Sequence, residues 1–191
     1  MGRLLALTDG VFAFAITLLV IQLVIPVCTG NGTEDCVVRG LQKEIPGFLA
    51  YLFTFYIIGI WWMRHNSAYH YIVRYDPTLL WVNLVFLLTI AVTPFVLGVF
   101  AEYSSDQIAL VLFGLVQAAA GALLYAMWWY AARAKLLSSE ADDRVVSYHQ
   151  LRGTIVPIVF VAAAGLAFVS VLASTVALVS AGVASAVLRR F

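Results

Sequence analysis

Long apolar runs alternate along this chain with short polar segments, and the polar segments carry most of its charged residues. A helix needs about 20 apolar residues to cross a bilayer, so the runs predict membrane-spanning helices. The uncharged stretch before Arg189 is too long for one span, so it is predicted to form two helices joined by a turn near 170–174. A single tilted or re-entrant hairpin is the alternative. The predicted helices are 4–26, 46–63, 78–100, 107–132, 154–170 and 174–188.

The amino-acid composition indicates that lipid, rather than water, is the solvent of the chain. Hydrophobic residues make up 63% of its 191 residues and charged residues 11%, against about 45–50% and 25% in soluble domains. The net charge of +1 gives no reason to expect a nucleic-acid partner. These features predict an all-α integral membrane protein in which residues 1–191 form a single transmembrane domain of six helices.

The distribution of basic residues predicts the orientation of these helices. Six crossings place both termini on one side, together with the connections at 64–77 and 133–152. Nine arginines and lysines lie on that side, whereas only Arg39 and Lys43 lie on the other. Because basic residues are enriched in cytoplasmic loops, the N- and C-termini are predicted to be cytoplasmic.

The segment 27–45 is polar and rich in turn residues, so it is predicted to be an exposed outer loop. It contains both cysteines, Cys28 and Cys36. An oxidising compartment permits a disulfide between them, and two free thiols are the alternative. The sequence shows no phosphate-binding glycine loop, no metal-ligand spacing and no catalytic set, so we expect neither a cofactor, a metal site nor enzymatic activity.

The first predicted helix carries an acid and a narrow stripe that need an explanation. Asp9 lies inside a span, where acids are costly and are usually paired or functional. Contact with a neighbouring helix and direct contact with ions are the two interpretations of this acid. Periodicity alone favours packing of the stripe against another helix of the same subunit. At about 100° per residue, the stripe consists of Gly10, Phe14, Thr17, Leu18, Ile21 and Ile25.

The start of the chain resembles the bacterial branch of the transmembrane protein 175 family. Arg3-Leu-Leu-Ala-Leu-Thr8-Asp9 is similar to the signature Arg-x-x-x-Phe-Ser-Asp on the family's first helix, with leucine and threonine replacing phenylalanine and serine. The stretch 59–66 and the region around Asn83 resemble the family's second and third helices. The signature residues are Arg3, Thr8, Asp9, Trp62, His65, Asn66 and Asn83.

The resemblance implies a homotetrameric potassium channel of the bacterial plasma membrane, with the first helix of each subunit lining the pore. The family has constrictions five, nine and twelve residues after the signature aspartate, which implies hydrophobic rings at Phe14, Leu18 and Ile21. A hydroxyl layer linked to potassium preference lies eight residues after it, at Thr17. Phe14 departs from the family, which usually has isoleucine or leucine there. A hydrophobic ring can gate by dewetting, and we expect modest selectivity for K⁺ over Na⁺.

Polar residues at the inner ends of the first three helices are expected to form a hydrogen-bonded network, since buried polar groups need partners. The predicted members are the seven signature residues. A proton- or ion-coupled secondary transporter is the alternative to a channel. Such a transporter is expected to carry an acid or a histidine near the midplane, and the last three predicted helices contain neither there.

Overall fold

The computed structural model describes residues 2–23, 33–103 and 105–187, and these residues are almost entirely helical. A short 3-10 helix, Leu19–Gln22, continues directly from the first α-helix. Within the described ranges there is no strand, and only one isolated bridge joins Ile72 to Leu137. The α-helices are α1 (Gly2–Leu18), α2 (Thr33–Lys43), α3 (Ile45–Tyr71), α4 (Pro77–Glu102), α5 (Gln107–Arg133), α6 (Asp143–Leu166) and α7 (Val171–Val187).

Five of the described helical segments are long and apolar enough to cross a membrane. The first combines α1 with the 3-10 helix, and the other four are α3, α4, α5 and α6. The last helix, α7, is also apolar but is shorter, with 17 residues. The structure therefore shows an all-helical, multi-span membrane fold.

The prediction of a loop at 27–45 is wrong for residues 33–43, because these residues form α2. Polarity excludes a membrane span at this place but does not exclude a helix outside the bilayer. Lys43 lies in the last turn of α2, where a cation interacts favourably with the helix dipole. Cys36 belongs to α2, whereas Cys28 lies outside the described residues, so the disulfide between them stays a prediction.

Several helices extend beyond the predicted spans. α3 continues to Tyr71 rather than ending at residue 63, and α6 begins at Asp143 rather than at residue 154. The predicted ends coincide with the first charged residues, but a helix can continue past the apolar run. At the start of α6, the Asp142 carboxylate accepts a hydrogen bond from the Val145 amide at 2.8 Å and caps the helix. The turn between α6 and α7 spans 167–170, slightly before its predicted place.

Hydrogen bonds tie the two short connections, 72–76 and 134–142, to each other. The Arg74 guanidinium donates to the Lys135 carbonyl at 2.5 Å. Asp76 caps α4 by accepting from the Leu79 amide, and its other oxygen accepts from the Tyr130 hydroxyl at 2.5 Å. These two bonds, the Leu79 amide foremost, hold the pKa of Asp76 below its usual value. The α3–α4 connection is therefore fastened to the end of α5.

The helices in the second half of the chain pack closely against one another. α5 packs against α4 and α6, and α7 packs against α6 and α3. A Cβ at Gly114 would come within 2.7 Å of the Ala164 Cβ, so the absence of a side chain lets α5 approach α6. The Ser174 hydroxyl on α7 donates to the Ala163 carbonyl on α6 at 2.7 Å.

Candidate functional site

α1 has one face packed against the other helices of the chain and one face left uncovered. Phe12 on the packed face is 2% exposed, whereas Phe14 and Ile21 are 66% and 70% exposed. Thr17 is also exposed and Leu18 is half-buried. The interpretation that the stripe of α1 packs against another helix of the same subunit is therefore wrong. Ile25 lies outside the described residues. The packed face consists of Leu4, Thr8, Phe12 and Ala15.

A chain of polar contacts holds α1 against α3 and α4. His65 Nε2 lies 2.8 Å from Asn83 Oδ1, and Asn83 Nδ2 lies 3.4 Å from Thr8 Oγ1. An amide oxygen can only accept, so His65 Nε2 donates the first bond. All three side chains are buried, at 2% exposure or less. These contacts place one residue from each of the first three spans in a single polar cluster.

Aromatic rings surround this polar cluster. The His65 ring stacks between Tyr69 and Phe86, with centroids at 4.3 Å and 5.5 Å. Phe12 contacts the rings of His65 and Phe86 at 6.3 Å and 6.0 Å. Phe12 therefore anchors α1 through its ring contacts, and sequence reasoning missed it. Phe12 and Phe14 are the same residue type in an apolar helix, so hydrophobicity could not distinguish the anchor from the exposed ring.

Asp9 has a partner on α3. The indole nitrogen of Trp62 donates to Asp9 Oδ1 at 2.8 Å. This bond lies at the border of the packed face, since Asp9 is exposed and Trp62 is 38% exposed. In the described ranges, no hydrogen bond links Arg3 or Asn66 to the polar cluster. The structure thus brings together five of the seven signature residues: Thr8, Asp9, Trp62, His65 and Asn83.

The exposed face of α1 combines apolar side chains with one hydroxyl. Thr17 Oγ1 donates to the Phe14 carbonyl at 2.9 Å. Because the hydroxyl hydrogen is used in this bond, the oxygen lone pairs remain for another partner. An apolar groove of about 500 Å³ lies beside this face, lined by Leu7, Gly10, Phe14 and Leu18 and by Ala91 of α4. No cluster of three or more potential metal ligands occurs among the described residues.

Comparison with known proteins identifies the family. A family model described as the endosomal/lysosomal potassium channel TMEM175 matches residues 3–94. A protein named potassium channel from Streptomyces collinus is 32% identical over 174 residues, covering 88% of this chain and 83% of the relative. Another protein named as a potassium channel, from Chamaesiphon minutus, is 30% identical over 174 residues, covering 89% of this chain and 85% of the relative.

A solved structure has the same fold over the whole chain. It is the crystal structure of a lysosomal potassium-selective channel TMEM175 homolog from Chamaesiphon minutus, with a TM-score of 0.86 at 25% identity. The match covers 100% of this chain and 98% of that chain. The fold and the spans define a multi-pass membrane protein. The chain belongs to the transmembrane protein 175 (TMEM175) family, whose matched members are named as channels rather than enzymes.

Proposed function

We propose that this chain is one subunit of a homotetrameric, potassium-permeable cation channel, with α1 of each subunit lining the central pore. The observation that carries the proposal is the uncovered apolar face of α1, on which Phe14 and Ile21 are 66% and 70% exposed. The relatives named potassium channel support the choice of ion. In this proposal α7 is a sixth crossing, and both termini lie on the cytoplasmic side of a bacterial plasma membrane.

Phe14, Leu18 and Ile21 form the hydrophobic constrictions of the proposed pore. The change from α-helix to 3-10 helix after Leu18 brings Ile21 close to alignment with Leu18, because residues three apart are eclipsed in a 3-10 helix. The three levels span about 12 Å along the helix axis, given rises of about 1.5 Å and 2.0 Å per residue. Four copies of each apolar side chain would repel water and gate the pore by dewetting.

Thr17 supplies the polar layer between the Phe14 and Ile21 rings. Its hydroxyl hydrogen is bonded to the Phe14 carbonyl, so four oxygens are oriented for a cation rather than for an anion. Oxygens at this level would replace part of the water lost at the apolar rings, where removing hydration from an ion is costly. Stripping water costs less for K⁺ than for Na⁺, so the expected preference for K⁺ is modest.

The groove beside Phe14 fits the proposed assembly. It is open in the single subunit and apolar, and it joins α1 to Ala91 of α4. Gly10, Phe14 and Leu18 belong both to this groove and to the stripe, so in a tetramer the groove would open towards the central axis. A helix that contacts α4 on one side and the neighbouring subunit on the other would be supported along its whole length.

Reconstitution into liposomes tests the proposal. We expect passive, voltage-driven flux of K⁺, weaker flux of Na⁺, and cross-linking that stops at four subunits. The variant Ile21→Ala is expected to raise K⁺ flux, because it shortens an apolar ring. Val20→Ala is the matched control, since Val20 is 53% exposed but lies on another side of the helix. Saturable flux coupled to proton movement would instead indicate a secondary transporter and would contradict the proposal.

A further inference from the structure

The short 3-10 helix after α1, Leu19–Gln22, presents two different sides. A 3-10 helix has three residues per turn, so residues three apart lie on the same side. Leu19 and Gln22 therefore share one side, whereas Leu18 and Ile21 share another. Leu19 is 0% exposed and Ile21 is 70% exposed. The side with Leu19 and Gln22 is thus packed against the rest of the chain, and the proposed constriction lies on the other side.

Gln22 on this packed side lies against a glycine of α4. A Cβ at Gly98 would come within 3.2 Å of the Gln22 Cδ and closer still to its Oε1. The Gln22 carboxamide therefore occupies the space that a side chain at position 98 would fill. Gly98 is the single glycine of α4. The close approach of the 3-10 helix to α4 thus depends on the absence of a Cβ at this position.

The 3-10 helix depends on such side-chain contacts because its own hydrogen bonds are weak. Hydrogen-bond geometry is poorer in a 3-10 helix than in an α-helix. The Leu23 amide donates to the Val20 carbonyl at 3.2 Å, and the backbone becomes extended at Leu23. Gln22 is therefore the last helical residue, and helix ends fray unless contacts hold them. The contact of Gln22 with α4 holds this end directly beside Ile21.

We propose that Gly98 is a positioning residue for the outer constriction of the pore. Adjacent residues are about 120° apart in a 3-10 helix, so a rotation that moves Gln22 off α4 turns Ile21 by the same angle. The contact between Gln22 and Gly98 thus sets the direction of the Ile21 side chain, although Gly98 touches no ion. This inference rests on the proposed function, since it takes Ile21 as a constriction.

Gly98→Ala tests the contact by adding a single methyl group. The far end of a glutamine side chain moves easily, so the added Cβ displaces the Gln22 carboxamide and the chain still folds. We expect amide hydrogen exchange of residues 19–23 to become about three- to tenfold faster, measured by mass spectrometry. We also expect K⁺ flux in liposomes to rise, because the Ile21 ring is no longer held in place. Gly165→Ala is the matched control, since a Cβ there meets nothing within 4 Å.

Gln22→Ala distinguishes positioning from a general loss of stability. Alone, it removes the contact with α4 and should raise exchange and flux as Gly98→Ala does. In the double variant the new methyl group at position 98 fills the space that the carboxamide leaves, so exchange and flux should return towards those of the unmodified protein. Two independent losses of stability would instead add. Addition of the two effects would overturn the inference.

The two measurements also separate this inference from the proposed function. Unchanged exchange of residues 19–23 in Gly98→Ala would overturn the inference, whether or not the unmodified protein conducts K⁺. Faster exchange with unchanged K⁺ flux would overturn it as well, while the channel itself would stand. Absence of K⁺ flux through the unmodified protein would contradict the proposed function instead. If Gly98→Ala fails to fold, unchanged exchange and flux in Gln22→Ala would overturn the inference.

Discussion

Two phenylalanines on α1 separate the structural role of this helix from its proposed role in the pore. Phe12 is 2% exposed and Phe14 is 66% exposed, although they are two positions apart in the same helix. Replacing each with alanine removes the same atoms. The two variants are therefore a matched pair whose effects depend only on the face of α1 that each residue occupies.

The structure gives a magnitude for Phe12→Ala. The change removes the contacts of the Phe12 ring with the rings of His65 and Phe86. Each aromatic pair contributes about 0.5–1.5 kcal/mol to stability. The cavity left behind adds to this loss, whereas the transfer of phenylalanine from the core to lipid costs little. We expect the free energy of unfolding to fall by about 2–4 kcal/mol, somewhat below the range for soluble proteins. For Phe14→Ala we expect a change within about 0.5 kcal/mol.

Unfolding in mixed detergent micelles measures the stability of both variants, and liposome flux measures their permeability to K⁺. Phe12→Ala should lower stability, whereas Phe14→Ala should raise flux and leave stability nearly unchanged. Equal destabilisation by both changes would refute the division of α1 into a packed face and a pore face. Unchanged flux in Phe14→Ala would count against a constriction at this level.

Three further changes test other parts of the structure. Asn83→Leu removes the hydrogen-bond partner of His65 and should lower the free energy of unfolding by about 1–2 kcal/mol in mixed micelles. Asn66→Leu is the control: it lies at an exposed position outside the polar cluster and should change the free energy of unfolding little. Thr17→Val should reduce the preference for K⁺ over Na⁺ in liposome flux while Thr17→Ser keeps it, and equal ratios in both variants would exclude a hydroxyl layer. Gly114→Ala should lower thermal stability, since its Cβ would meet the Ala164 Cβ at 2.7 Å. Gly165→Ala should leave thermal stability unchanged, because a Cβ there meets nothing within 4 Å. Equal effects of the two changes would argue against close α5–α6 packing.

Local sequence patterns predict the spans better than they predict which surfaces meet. The apolar runs indicate most of the spanning helices because length and composition are local properties. The stripe on α1 also follows from periodicity, but both faces of this helix are apolar, so periodicity could not show which one is buried. The resemblance to the family, rather than the hydrophobic pattern, pointed to the face with Phe14 and Ile21.

Contacts between distant parts of the chain lie beyond such patterns. Arg64 and Arg152 meet across 88 positions, and neither residue is in a motif that predicts the other. Charged residues also marked the predicted ends of α3 and α6, although both helices continue through them. Local hydropathy does not report that an arginine can remain helical when neighbouring aromatic rings and carbonyls accommodate it.

Thiol labelling of α1 tests the central proposal most directly. In a protein with Cys28 and Cys36 replaced by serine, Ile21→Cys and Val20→Cys place single thiols one position apart, on different sides of the helix. A charged methanethiosulfonate reagent should block K⁺ flux through the Ile21→Cys channel and leave the Val20→Cys channel conducting. Block of both variants to the same extent, or of Val20→Cys alone, would contradict a pore lined by the exposed stripe of α1.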